Sequence, residues 1–319
     1  MDDPDPPDAP AAPHRASLLT TVARWFDTSQ ATRPLDTRAE GIDWLRAAPF
    51  LAMHLACLLV LVVGVSPVAV AVAIALYALR MFAITAFYHR YFSHRAFKAS
   101  RAMQFVFALA GATAVQRGPL WWAAHHRHHH RHADDAADLH APRQGFWRSH
   151  MGWFLTRRGF GTDYSRIPDL ARFPELRWLD RYDTVVPVLL AVALFATGHW
   201  LHIHDPQLGT SGAQLLVWGF CVSTIVLFHA SVTINSLAHR FGRRRFATQD
   251  DSRNNAWLAL LTFGEGWHNN HHFYPGSARQ GFRWWEVDVT WYGLMLMATL
   301  GLVRELKPVP AWVRAKGGY

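Results

Sequence analysis

Histidines in this chain fall into four groups whose spacing suits metal ligation: His89-Arg-Tyr-Phe-Ser-His94, the run His125-His126-Arg127-His128-His129-His130, Asn235-Ser-Leu-Ala-His239, and His268-Asn-Asn-His271-His272. At about 100° per residue, H-x-x-H-H on a helix puts its three rings within an arc of about 100°, so all three can converge on one centre. Asn235 and His239, four apart, share a helix face for the same reason. His89 and His94 are five apart and would diverge by about 140° on an ideal helix, so the helix must end or distort there, or the two rings serve different metals. The central run is ambiguous, because His125, His128, His129 and His126, His129, His130 both satisfy the pattern. Imidazole suits iron, zinc, copper and nickel alike, so ligand type does not choose the metal. Number says more. With three taken from the central run, nine histidines exceed the four ligands of a structural zinc, and neither a thiolate nor an H-E-x-x-H helix supports one. Two metals in a nitrogen-rich shell, with positions open to water or O2, fit the count. Glu265-Gly-Trp-His268 is an E-x-x-H that occurs once, and it reads as a carboxylate orienting an imidazole.

Apolar segments must position these groups. Between Arg46 and His89 the only charged residue is Arg80, and the Gly64-Val65-Ser66-Pro67 break divides the stretch in two. Each piece is about 20 residues, enough to cross a hydrocarbon layer of roughly 30 Å as a helix. Thr184 to Leu201 and Ala213 to Asn235 supply two more, giving four predicted spans. Ala102 to Val115, Ala256 to Gly264 and Val289 to Val303 are shorter and predict interfacial or cap helices. The break after the first span and the linker HIHDPQLGTSG after the third contain no Lys or Arg, whereas the N-terminal segment, residues 90–183 and the segment from Arg240 hold nearly all of them. Those three segments, both termini and all four histidine groups are therefore expected in the cytoplasm. Arg80 lies mid-span, where an ionised group costs at least a few kcal/mol, and should face the bundle interior or a cavity. The predicted class is an all-α integral membrane protein, four transmembrane helices with a cytoplasmic helical cap holding a His-rich dimetal site. Residues 1–40 are expected as a disordered cytoplasmic tail, 41–305 as the membrane domain and 306–319 as a C-terminal tail.

Composition agrees. A chain that is 51% hydrophobic and only 17% charged fits lipid as part of its solvent. The net charge of +9 does not imply nucleic acid, because the basic residues interleave with apolar spans instead of forming one stripe. A basic cytoplasmic face would suit anionic headgroups or a phosphorylated substrate. Cys57 and Cys221 fall inside apolar spans, which argues against both a disulfide framework and a thiolate metal site.

HRYFSHRAF, WAAHHRHHHR, GFWRSHMGW, NSLAHRFG, DDSRNN and GEGWHNNHHFYP follow one another as in the membrane fatty acyl desaturases. Over roughly Ala86 to Val303 the sequence resembles their stearoyl-CoA 9-desaturase type. The resemblance implies two iron ions ligated by His89, His94, His126, His129, His130, His239, His268, His271 and His272, with Asn235 reaching one of them through water. It further implies O2 as oxidant, a saturated fatty acyl substrate, acyl-CoA in the type resembled, and a cis double bond at Δ9. Trp122, Arg143 and Trp153 match the pattern near the substrate entrance. Two basic residues of CoA-dependent relatives are replaced by Ala124 and Gln144, which weakens a CoA thioester against a lipid-linked or carrier-linked chain. No His-Pro-Gly-Gly haem segment occurs, so an external electron donor is expected, a ferredoxin, flavoprotein or cytochrome b5-like protein. An unactivated methylene has no acidic proton, so its hydrogens call for metal-activated O2 and not for an acid/base pair. Two alternatives compete: a membrane alkyl hydroxylase built on the same histidine boxes, and a transition-metal transporter, which would need ligands at mid-membrane along a pathway.

Overall fold

The computed structural model describes residues 23, 25–29 and 41–318, so most of the expected N-terminal tail lies outside the described residues. The helices that position the site are α1 (Trp44–Val63), α2 (Pro67–Ser93), α3 (Arg101–Ala112), α4 (Pro119–His132), α5 (Pro174–Arg181), α6 (Val185–His204), α7 (Gly212–Ser236), α8 (Ala256–Leu261), α9 (His268–Phe273) and α10 (Val289–Thr299). Short helical turns connect them, and the described residues form isolated bridges but no strand.

Helices α1, α2, α6 and α7 are each long and apolar enough to cross a membrane. They occupy the four stretches read as spans, with α2 running on as far as Ser93. The break between α1 and α2 follows from its residues: Gly64 takes φ +70°, Ser66 Oγ accepts from Ala69 N–H at 3.1 Å, and Pro67 opens α2 where it needs no donor. Ser66 Oγ also meets Thr210 Oγ1 at 3.0 Å, and Trp218 Nε1 donates to Gly64 O at 2.9 Å. These bonds put the α1–α2 break and the α6–α7 linker at one end of the bundle, and the histidine groups lie at the other. Leu61 is 83% exposed and Val62 80%, the outward apolar surface that lipid requires.

Arg80 is buried between α2, α3 and α7. Its guanidinium donates to Thr224 Oγ1 at 2.7 Å, Thr113 O at 3.2 Å and Ser223 Oγ, and its Nε to Leu76 O at 3.1 Å. The partners invisible in the sequence are hydroxyls and carbonyls, which spread the charge over oxygens of three helices.

The second half of α2, Ala83–Ser93, is a π-helix with all eleven residues buried. His94 N–H bonds to His89 O at 3.3 Å, the i to i+5 link of that geometry, which brings residues five apart onto one face. Close packing supports it: Phe87 stacks on Phe107 at 3.9 Å, and Gly111 leaves room for the Tyr88 ring, which an added Cβ would meet at 2.0 Å. Arg127 of α4 fastens the next box to this one, donating to Ser93 O and Phe92 O at 2.9 Å each. Helix α4 begins at Gly118-Pro119 with no cap of its own, and Asp180 of α5 supplies one, accepting from Trp121 N–H at 2.7 Å. The stretches read as interfacial or cap elements form α3, α8 and α10. The segment from residue 306, expected as a tail, contains a helix over Ala311–Lys316 and buries Val309 and Val313 against Phe246 and Phe282.

Candidate metal centre

The four sequence groups meet in two clusters. His89 and His94 from the end of α2, His126 and His130 from α4, and His271 from α9 form one; His129 from α4, His239 just beyond α7, and His268 and His272 from α9 form the other. Within each cluster the nitrogens lie within 4.8 Å of one another, a set that could hold a metal ion. The π-helix therefore directs His89 and His94 to the same cluster. In the central run, His126 and His130 serve one cluster and His129 the other, whereas His125 Nε2 faces Gly161 O at 3.1 Å and His128 Nε2 faces Ala137 O at 3.0 Å. Both left-over rings are satisfied elsewhere.

Carboxylates orient the rings. Nδ1 of His129, His239 and His272 each lies 2.9 Å from a carboxylate oxygen, of Asp138, Asp134 and Asp250 respectively, and Nδ1 of His89 contacts Glu265. Glu265 thus orients an imidazole, as read, but it is that of His89 and not of His268 three residues on; Gln280 Nε2 at 2.9 Å and Arg90 at 3.2 Å hold it. Asp134 takes φ +64°, a strained conformation for a residue with a side chain, and is held there by His239 and by Asp251 N–H at 2.7 Å.

A proton on Nδ1 leaves Nε2 as a bare lone pair directed into the cluster. His239 Nε2 faces His268 Nε2 at 3.0 Å, and His271 Nε2 faces both His89 Nε2 at 3.0 Å and His130 Nε2 at 2.9 Å. One N–H cannot bridge both of the latter pairs. His272 Nε2 is buried with no hydrogen-bond partner. Burial, reinforced by the neighbouring rings, holds His94, His126, His130, His268 and His271 well below the usual imidazole range, so they are neutral and able to donate lone pairs. Buried, converging, neutral nitrogens backed by carboxylates fit two cations, the pattern of a histidine metal site with its outer partners in place.

A cavity of about 280 Å³ adjoins the clusters. Trp122, Trp153, His126 and Asn235 line it, with Arg46, Arg117 and Asp183 also on its wall. Asn235 belongs to neither cluster; it stands on the cavity wall. Trp122 stacks on His126 at 4.9 Å and Trp153 on Trp121 at 5.5 Å. Arg143 does not line this cavity: it is exposed and paired with Asp251 at 2.9 Å. Sequence reasoning missed His140, which lines the cavity, stacks on His129 at 4.3 Å and forms a third donor group with His129 and Asp138. It also missed Asp134, Asp138 and Asp250. The available signals were the stretch RHADDAADLH, rich in carboxylates just after the second box, for Asp134 and Asp138, and the segment DDSRNN for Asp250.

The family profile of fatty acid desaturases matches residues 65–299. The chain belongs to the fatty acid desaturase family. It is 38% identical over 228 residues to the sn-2 palmitoyl-lipid 9-desaturase of Nostoc sp. (strain 36), a match covering 70% of this chain and 75% of that one. To the sn-1 stearoyl-lipid 9-desaturase of Anabaena variabilis it is 35% identical over 269 residues, 83% of this chain and 94% of the relative. An acyl-CoA 5-desaturase of Anemone leveillei is 37% identical over 239 residues, 74% and 70% of the two chains. Membership makes this fatty acid desaturase an oxidoreductase of lipid metabolism, and its four apolar helices associate it with a membrane.

Proposed function

We propose that the chain is an O2-dependent acyl desaturase that introduces a cis double bond at Δ9 of a saturated chain carried on a membrane lipid. The observation that carries this is the cavity: His126 is at once a member of the five-histidine cluster and part of the wall of a largely apolar space. The two clusters would hold two iron ions, which supply the activation of O2 and the removal of hydrogen from an unactivated methylene. The protein's own residues orient and exclude. Apolar walls keep water from the reacting carbons, Trp122 and Trp153 border the chain beside the clusters, and Asn235 offers a polar group at the same place. Asp134, Asp138, Asp250 and Glu265 hold the rings in the tautomer that ligation needs.

A lipid carrier is favoured by Ala124 and Gln144, which stand where CoA-dependent relatives have basic residues, and by the neutralisation of Arg143 by Asp251. Acyl-CoA is the second reading, favoured by the name of the Anemone relative. We place the catalytic domain at 41–305, with the histidine end of the bundle as a cytoplasmic cap where an external electron donor docks. The test is the fatty acid profile, with double-bond positions by mass spectrometry, of host cells expressing the chain beside its His268→Ala variant. New Δ9 unsaturation on lipid that vanishes in the variant supports the proposal; hydroxylated chains move it to the sister chemistry. An unchanged profile from iron-loaded protein with an active donor sinks it.

A further inference from the structure

We propose that Phe50, Phe154 and Phe228 form the wall that sets where along the acyl chain the reaction falls, and that a chain of three histidines behind them, His54, His229 and His150, holds that wall in register. The proposal rests on the desaturase reading above. The three phenyl rings come from three elements, α1, the turn Trp153–Leu155 and α7, and all three line the cavity. They meet edge to face in a closed trio: Phe50 to Phe228 at 4.9 Å, Phe50 to Phe154 at 5.2 Å and Phe154 to Phe228 at 5.4 Å. Phe228 and Asn235 are seven residues apart on α7, hence on one face and roughly 10 Å apart along the axis, with Ser231 and Val232 lining the cavity between them. Phe228, with the two rings packed on it, therefore stands about two turns along α7 from Asn235, away from the histidine end. An acyl chain presented to the clusters has its far portion against these rings.

The histidine chain repeats the same three ties. His54 lies one turn beyond Phe50, His229 is next to Phe228, and His150 is four residues before Phe154. His54 Nε2 meets His229 Nε2 at 3.0 Å, His229 Nδ1 meets His150 Nε2 at 3.0 Å, and His150 Nδ1 meets Ser236 Oγ at 2.9 Å. Phe50 O, 2.8 Å from His54 Nδ1, can only accept. With neutral rings that orders the protons: His54 donates to the carbonyl, His229 to His54 and His150 to His229, and Ser236 turns its hydroxyl to His150 Nδ1 at 2.9 Å in preference to Val232 O at 3.1 Å. Each ring gives one N–H and uses one lone pair, all neutral. No cation is needed, in contrast to the two clusters where lone pairs face each other. Breaking one link leaves a half-buried donor and a half-buried acceptor unmet, so the chain resists sliding of α1 against α7.

Cells expressing the full chain are fed myristate, palmitate and stearate together, and product chain lengths and double-bond positions are read by mass spectrometry, with protein amount and metal content measured alongside. One methylene in an apolar pocket discriminates by roughly 10- to 200-fold, so Phe228→Ala is expected to shift the stearate-to-palmitate product ratio by about tenfold or to move the double bond. His229→Ala, outside the cavity wall, should produce the same shift, and His229→Gln, which can accept from His150 and donate to His54, should restore the wild-type pattern. A wild-type chain that makes no unsaturated product removes the desaturase reading itself. With an active wild type, variants that keep its distribution, or lose every product in equal proportion, overturn the proposal. Should His229→Ala fail to accumulate, Phe154→Leu reads the wall directly, and an unchanged distribution there overturns it.

Discussion

His89, His129, His239 and His272 commit Nδ1 to a carboxylate, and this is what turns a buried imidazole into an oriented donor. Removing such a partner typically costs 10- to 100-fold in metal affinity, so Asp250→Ala and Asp138→Ala should each weaken iron binding by about that factor. His125→Ala, whose ring faces Gly161 O, should leave affinity unchanged and lower only stability; iron titration beside thermal unfolding separates the two effects. Acid should act through the rings before the carboxylates. His94, His126, His130, His268 and His271 have folded pKa values below the 6.5 of an unfolded histidine, so below that pH the unfolded chain takes up protons that the folded one refuses. Stability is lost as pH falls from 6.5, with His129, raised by Asp138 against its burial, offsetting one ring. Burial pushes Asp138 and Asp250 up, but their histidine partners outweigh it and hold them below 3.8, so their ties persist until pH falls through that lower range. The melting temperature of the metal-free protein should therefore hold from pH 8 to about 6.5 and fall below, with the onset unmoved in Asp250→Asn. Onset near pH 4 would assign acid loss to the carboxylates instead. Ligand candidates were legible because histidine clusters announce themselves. Their partners were not, since Asp134, Asp138 and Asp250 lie in connecting segments where an aspartate reads as ordinary turn chemistry.

At the scale of elements, long apolar runs gave away α1, α2, α6 and α7, because a span needs only length and hydrophobicity to be recognised. The π-helix of α2 was visible only as a conflict: two histidines five apart that an α-helix would separate. The register of the central run was not readable from spacing, because adjacent histidines satisfy the same pattern in two phases; the family resemblance implied His126, His129 and His130, and the packing of α4 brings those three into the clusters. That packing depends on a cap borrowed from α5. Asp180 accepts from Trp121 N–H, Thr162 Oγ1 and Tyr164 Oη, and burial pushes its carboxyl up to about 6. Because this folded value lies above the unfolded 3.8, the folded state holds the proton more tightly, and Asp180 lowers stability as pH rises through the window from 3.8 to about 6. Asp180→Ala should destabilise the protein by about 1–2 kcal/mol through the lost cap. Asp180→Asn keeps an acceptor without the charge, so its melting temperature should gain on the wild type between pH 4 and 7. A gap that does not change with pH would show that the buried carboxyl does not titrate there.

Across the whole molecule, one end of the bundle holds the chemistry and the other holds the closures. The Gly64–Pro67 break and the Thr210 linker are hydrogen-bonded to each other and contain no Lys or Arg, while exposed Arg131, Arg172, Arg243 and Arg244 belong to the histidine end. Four spans would put the segments flanking the bundle on one side, and the proposed orientation, argued from the basic bias, makes that side cytoplasmic. The arrangement has a functional reason. In the proposed function a soluble electron donor would reach only the histidine end, while the cavity, lined by residues of α1 and α7, would take the acyl chain from the membrane side. With Cys57 and Cys221 replaced by alanine, Gln207→Cys should react with a membrane-impermeant maleimide in intact cells, and Arg172→Cys only after lysis. The opposite pattern would put the histidine clusters on the far side of the membrane, away from any cytoplasmic reductant. The orientation would then have to be abandoned even if the clusters bind iron as expected.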